Sequence, residues 1–319
     1  MAEIFSNFVF AFVTSMREVL EAALIIGIIV GYLTKVGRKD LRRDVVYGVV
    51  GAVLLSILLS VVMLLLFEGL PDWNELFEGV VMIAAATILT WMIVWMWHQS
   101  RHIKGDLEQK VEKSVSEKSR LGLVGLVFFA VLREGAEIVL LLYASYLSTA
   151  QEAGIVNSLT GVGLGFVTGL VVASALAYLL FKSSVQLNLK AFFNVTSVIL
   201  LIFAAGLVAH GIHEIYEFLE VYSPTMASSF LFAEVWNVNN TPVSGLLDLL
   251  FGWSYDPTYP SRFEKSVVGQ VLTGLFGWND NPALLELVAY FGYFIALGLT
   301  YFYVKSKPVQ EFSNLSAVE

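Results

Sequence analysis

Long apolar runs alternate with shorter polar connections along the whole chain. They fall at about 6–33, 45–67, 79–98, 121–147, 161–181, 191–214 and 284–304, and a helix needs about 20 apolar residues to cross a bilayer core. The pattern predicts an all-α polytopic membrane protein with seven transmembrane helices. No basic residue precedes the first run and no small-residue cleavage site follows it. It is therefore expected to remain as a transmembrane helix rather than to be removed as a signal peptide. The segment from Gln99 to Arg120 interleaves charged with apolar residues and predicts a short solvated helix. The connection at 219–283 predicts an external loop. Within it, the stretch from Leu247 to Trp253 returns as Leu272 to Trp278. These would be two short amphipathic segments whose tryptophans suit the headgroup level.

The charges between the runs set an orientation. The first connection carries Lys35, Arg38, Lys39, Arg42 and Arg43, and the third carries Arg101, Lys104, Lys110, Lys113, Lys118 and Arg120. The second holds Glu68, Asp72, Glu75 and Glu78 with no basic residue, and the fourth holds only Glu152. Lys182 and Lys190 follow on the fifth connection, and Lys305 and Lys307 on the tail. Basic loops lie on the cytoplasmic side, which predicts the N-terminus outside and the C-terminus inside the cell membrane. The acidic second connection is expected to be an ordinary solvated loop.

Spans one and four then point in opposite directions, and each opens a block of three. Two such blocks are related by inversion, an arrangement that in many transporters puts the substrate site near the midplane. The expected organisation is a first three-helix repeat at 1–98, a cytoplasmic connecting helix at 99–120 and an inverted second repeat at 121–218. The external loop at 219–283 and a seventh helix with its tail at 284–319 complete it. Gly27 with Gly31, and Gly161, Gly165 and Gly169, stand at four-residue spacing that permits close helix packing.

Composition narrows the class. Hydrophobic residues make up 57% and charged residues 14%, with mean hydropathy +0.74, whereas soluble domains carry about a quarter charged. Cysteine is absent, which excludes disulfides, thiolate metal sites and iron–sulfur ligation. The net charge of −8 gives no nucleic-acid signature.

The charges inside the runs carry the chemistry. Arg17-Glu18-Val19-Leu20-Glu21 interrupts the first run, and Arg133-Glu134-Gly135-Ala136-Glu137 interrupts the fourth. Residues three and four apart share a helix face, so each arginine reaches the second glutamate of its own motif. At about 2.5–3.5 kcal/mol each at mid-membrane, the six charges cost roughly 15–20 kcal/mol, and intramembrane ionisable residues mark function by default. Glu18, Glu21, Glu134 and Glu137 facing one another would form a carboxylate cage of charge −2, oriented by Arg17 and Arg133. Oxygen donors suit hard cations, and the lack of sulfur ligands disfavours Cu(I). The plainer alternative is two intrahelical ion pairs that pin helix packing.

A third cluster ends the sixth run. His210, His213, Glu214 and Glu217 stand at helical spacing near its outer end, and imidazole with carboxylate suits iron, zinc or manganese. An interfacial polar helix end is the alternative. His98 and His102, four apart, are read as interfacial rather than as metal ligands.

The paired Arg-Glu-x-x-Glu motifs resemble those of the high-affinity iron permease family. His213-Glu214-x-x-Glu217 resembles a His-Glu-x-x-Glu stretch of its bacterial members, and residues 275–282 are similar to a segment that precedes their last span. The likeness covers nearly the whole chain. The first motif departs from it by lacking a glycine after its first glutamate, and the copy at 247–253 has no counterpart in the likeness. The resemblance implies an iron permease that is not an enzyme. Iron would be the transported substrate, with the motif glutamates as ligands and no prosthetic group. Fungal members work with a multicopper oxidase and bacterial ones with an extracytoplasmic redox partner. Such a partner is implied here only by the resemblance, and neither oligomeric state nor oxidation state follows from the residues. A permease for manganese or lead fits the same donors. A membrane-embedded di-iron oxidoreductase fits less well, because the Glu-x-x-His motifs such sites use do not occur in this chain.

Overall fold

The computed structural model describes residues 2–68, 74–99, 103–116, 119–153, 155–182, 189–222, 235 and 282–306. These are helical throughout, apart from turns and an isolated backbone bridge at Ala283. In chain order the helices are α1 (Ala2–Lys35), α2 (Arg42–Glu68), α3 (Asn74–Gln99), α4 (Ile103–Ser116), α5 (Arg120–Ala153), α6 (Ile155–Lys182), α7 (Leu189–Tyr222) and α8 (Leu284–Ser306). Five of them, α2, α3, α6, α7 and α8, are long and apolar enough to cross a bilayer. The other two long helices, α1 and α5, have 34 residues each and carry the charged motifs near their centres. The readings for the external loop and for the His98–His102 side chains lie outside the described residues.

The helices end where the sequence supplies the right residue. Gly37 has φ 74°, a conformation that costs any residue with a Cβ. It lets Gly37 N–H donate to Thr34 O and Arg38 N–H donate to Leu33 O, at 3.2 and 2.8 Å. These paired bonds satisfy the last carbonyls of α1 and turn the chain through a short 3-10 segment, Lys39–Leu41, into α2.

Two apolar cores flank the centre of the molecule. One joins Phe10 and Val13 of α1 to residues 81–93 of α3, Leu141–Leu147 of α5 and Leu200–Leu207 of α7. The second joins Ile29 and Leu33 of α1 to Val45 and Ala52 of α2, Val111 of α4 and Leu123–Val131 of α5. The N-terminal half of α1 thus packs with the C-terminal half of α5, and the reverse holds in the second core. The two helices run antiparallel, and the residues between the cores are 17–21 on one and 133–137 on the other. Helix α4 is a short helix exposed over much of its surface, as expected, and it also docks on the second core, where Val111 is fully buried and Leu107 and Val115 pack beside it. Its apolar positions at spacing four form one stripe, and burying that stripe outweighs leaving the helix in water.

Close packing is strongest between α1 and α6. A Cβ at Gly165 would come 2.5 Å from Phe8 O, and one at Gly169 would come 2.8 Å from Phe12 O. The glycines therefore let two backbones touch, as small residues do where helices pack in lipid. Gly27 faces the Phe181 ring of the same helix pair, whereas Gly31 meets nothing within 4 Å. On the outside, α2 presents Val50, Leu54, Ile57, Leu58, Val61 and Leu65 with large exposed surface, the side a bilayer would cover. Gly169→Val should push α6 away from α1 and destabilise the fold by about 1–3 kcal/mol. A lowered melting temperature of the purified detergent-solubilised protein is the expected readout, and no change would contradict the contact.

Candidate functional site

The charged layer between the cores is built from two helix faces. On α1, Arg17 lies with no exposed surface, and its two terminal nitrogens reach Glu18 Oε1 at 2.8 Å and Glu21 Oε1 at 3.1 Å. On α5, Arg133 Nε lies 3.0 Å from Glu137 Oε1 and 3.7 Å from Glu134 Oε1. Both intrahelical pairs therefore form at the spacing the sequence provides. The motifs also meet one another, because Glu18, Glu21 and Glu134 each offer an oxygen and these all lie within 4.8 Å of one another. Three carboxylates therefore converge, with Glu137 the fourth beside them, and each motif keeps its own arginine.

The environment makes this group unusual. Glu18, Glu134 and Glu137 are buried, and one oxygen of each has no hydrogen-bond donor among the described residues. Two unit charges at about 5 Å repel by about 3 kcal/mol at an effective dielectric of about 20. Buried oxygens in that position lack the donors that buried polar groups almost always have. Such a group could hold a cation of oxygen-ligand chemistry.

The two motifs are not equivalent. Arg17 is fully buried, while the Arg133 side chain is 42% exposed. Both arginines rest on α3, in ways that sequence reading missed. Arg17 donates to Met96 Sδ at 3.6 Å and to Met92 Sδ at 3.9 Å. The Arg133 guanidinium lies 4.9 Å from the centroid of the Trp95 ring. Thioether sulfur is a weak acceptor and an aromatic face attracts a cation, so α3 holds both arginines without offering a competing carboxylate. The sequence signal was Met92, Trp95 and Met96 at spacings three and four, a stripe that looks like ordinary core.

A cavity of about 620 Å³ between α1, α2, α5 and α6 reaches Glu18 and Glu134. Its wall is mostly apolar, with Ser56, Ser60, Tyr143 and Tyr146 among its polar members. The glycine that distinguishes the second motif has a local reason here. A Cβ on Gly135 would lie 2.1 Å from Ser56 Oγ and 2.9 Å from Ser56 Cβ, whereas Val19 of the first motif packs near Leu20, Ala173 and Ala177.

The third cluster lies on the last turns of α7. His213 Nε2 is 3.3 Å from Glu217 Oε1, and Glu214 is buried beside them in the chain. His210, three residues earlier, is half-buried. The sequence missed Glu286 of α8, whose Oε1 lies 2.9 Å from His213 Nδ1. Glu78 is a correction to the solvated-loop expectation. It lies on α3, not in a connection, and is 4% exposed, because α3 starts at Asn74 and turns this face inward. Gly79 beside it lies against the backbone of Gly211 on α7.

Replacing Arg17 by Gln leaves Glu18 and Glu21 without their counter-charge in a buried layer and should cost about 3–5 kcal/mol. Arg133→Gln, at a more exposed position, should cost clearly less. Thermal unfolding of the two purified variants checks the order, and equal losses would contradict the asymmetry.

The family model described as "Iron permease FTR1 family" matches residues 7–308. The chain is 35% identical over 224 residues to the "Ferrous iron permease EfeU" of Shigella flexneri, covering 70% of this chain and 80% of that protein. The protein of the same name from Escherichia coli O157:H7 is likewise 35% identical over 224 residues, covering 70% of this chain and 68% of its own length. No solved structure matches the chain.

Proposed function

The chain belongs to the Iron permease FTR1 family, and from that premise we propose that it moves ferrous iron into the cell through the charged layer of α1 and α5. One observation carries the proposal. Oxygens of Glu18, Glu21 and Glu134, drawn from two antiparallel helices, converge within 4.8 Å of one another. Carboxylate oxygens there replace the hydration shell that an ion sheds on entering a low-dielectric site. Ferrous iron as cargo is supported by the printed names of the relatives.

The roles divide by geometry. Glu18 and Glu134 offer unshared oxygens and border the cavity, so they are the first ligands an ion meets there. Glu18 and Glu21 both share Arg17, through one oxygen each at 2.8 and 3.1 Å, and Glu137 shares its charge with Arg133. The arginines keep part of the negative charge occupied, which holds the ion loosely enough to leave. His213, Glu214 and Glu217, with His210 nearby, form an entry station at the outer mouth.

In this proposal α1, α2, α3, α5, α6, α7 and α8 are seven spans of the cell membrane, with the N-terminus outside. Helices α1–α3 and α5–α7 are inverted repeats. The pairings of α1 with α6 and of α5 with α2 support that relation, since each repeat's first helix packs on the other's second. Rocking of the repeats about the α1–α5 contact would alternate access.

Radio-iron uptake into proteoliposomes, with each oxidation state and with manganese or lead as competitor, tests the proposal. Glu18→Gln and Glu134→Gln should each reduce ferrous uptake by at least about 100-fold while the melting temperature holds. Uptake at the wild-type rate in both variants would sink the carboxylate mechanism. Preference for manganese or lead over iron would reassign the cargo.

A further inference from the structure

One junction of charged groups outside the motif layer joins elements far apart in the sequence. His213 of α7 lies between two carboxylates, with Nδ1 2.9 Å from Glu286 Oε1 and Nε2 3.3 Å from Glu217 Oε1. The carboxylates differ in access. Glu286 is 7% exposed and Glu217 is 40% exposed at the side chain. The ring nitrogens point in opposite directions, so a single ion cannot use both. One nitrogen is committed to a buried acid, and the other faces the accessible side.

We propose that Glu286 is the positioning residue for a divalent-cation site whose ligands are His213 Nε2 and Glu217. A neutral imidazole has one N–H, and an ionised carboxylate only accepts. Glu286, buried and closer, takes that N–H at Nδ1 and turns the Nε2 lone pair toward Glu217. With no ion present, a second ring proton on Nε2 bridges to Glu217 at 3.3 Å, and a bound cation would take that proton's place between the two ligand atoms. Metal-binding histidines almost always donate their other N–H to such a partner, which fixes the tautomer and raises the basicity of the ligand nitrogen. The proposal rests on the outer entry station described above and extends it to α8, which supplies none of the motif residues.

A plainer role competes. Glu286 Oε1 also accepts the Ala283 N–H at 3.3 Å, the reach-back of a glutamate at the third helical position to the cap residue. The group could thus serve only to start α8 and tie it to α7. Glutamine retains that capping bond but loses the charge, so Glu286→Gln separates the roles.

The test uses the full-length protein in proteoliposomes, with initial ferrous uptake measured against iron concentration. Glu286→Gln should raise the KM for iron about 10-fold and Glu286→Leu up to about 100-fold, with the maximal rate within about twofold of wild type and the Gln variant as heat-stable as wild type. In a His213→Ala background, Glu286→Gln should add nothing further, since it acts through that ring. An unchanged KM in Glu286→Gln, a fall in maximal rate alone, or full additivity with His213→Ala would overturn the assignment. If His213→Ala and Glu217→Gln also leave KM unchanged, the entry station itself fails. If those two raise it and Glu286→Gln does not, the station stands and only the positioning role falls.

Discussion

Six ionisable groups placed between two apolar cores set the terms for the rest of this structure. Arg17, Glu18 and Glu21 on α1 and Arg133, Glu134 and Glu137 on α5 could not remain there singly. An isolated charge at that depth costs several kcal/mol, and a pair recovers part of it only with good geometry. The chain meets the constraint locally, by the i,i+4 pairing of each arginine with its glutamate. It meets the constraint globally by setting α1 and α5 antiparallel, with one apolar core at either end of the charged layer. Helix α3 completes the enclosure with sulfur and an aromatic face, groups that stabilise a guanidinium without drawing it off the glutamates.

What could be read from the sequence follows from how local each interaction is. The charged motifs, their internal pairs and the helices that bear them depend on neighbours within one or two turns, and these were legible. The antiparallel meeting of the motifs was accessible through the basic loops, since alternating charge fixes the direction of each span. The arginine supports were not. Met92 and Met96 touch Arg17 across more than seventy positions of chain, and their spacing is that of any buried stripe. Glu286 was missed for the same reason, because only the packing of α8 on α7 brings it to His213. Glu78 misled in the opposite direction. Its charge suggested water, but its burial follows from what packs against it, which charge pattern alone does not encode.

The two motifs carry the same charged residues in different surroundings. On one side α6 lies against the backbone of α1 through Gly165 and Gly169, and Arg17 is sealed. On the other, α2 packs on α5 beside the cavity, and Arg133 keeps 42% of its side chain exposed. The sequence difference between the motifs follows this split. Valine at position 19 borders the small-residue face of α6, and glycine at position 135 makes room for Ser56 of α2.

For the inverted-repeat transport we propose, such asymmetry would have a mechanical meaning. If both halves packed identically, the central site would be equally open or equally closed to the two sides of the membrane, and no net step could follow. On that proposal one tight half and one loose half would be a single member of a pair of states, with the other reached by exchanging which half is tight. The carboxylates sit on α1 and α5, so in such an exchange they need not come apart. What would change is the packing of α6 on α1 and of α2 on α5, while both arginines stay on α3. A permease of this design alters access by moving apolar helix faces past one another and leaves the expensive charged layer where it is.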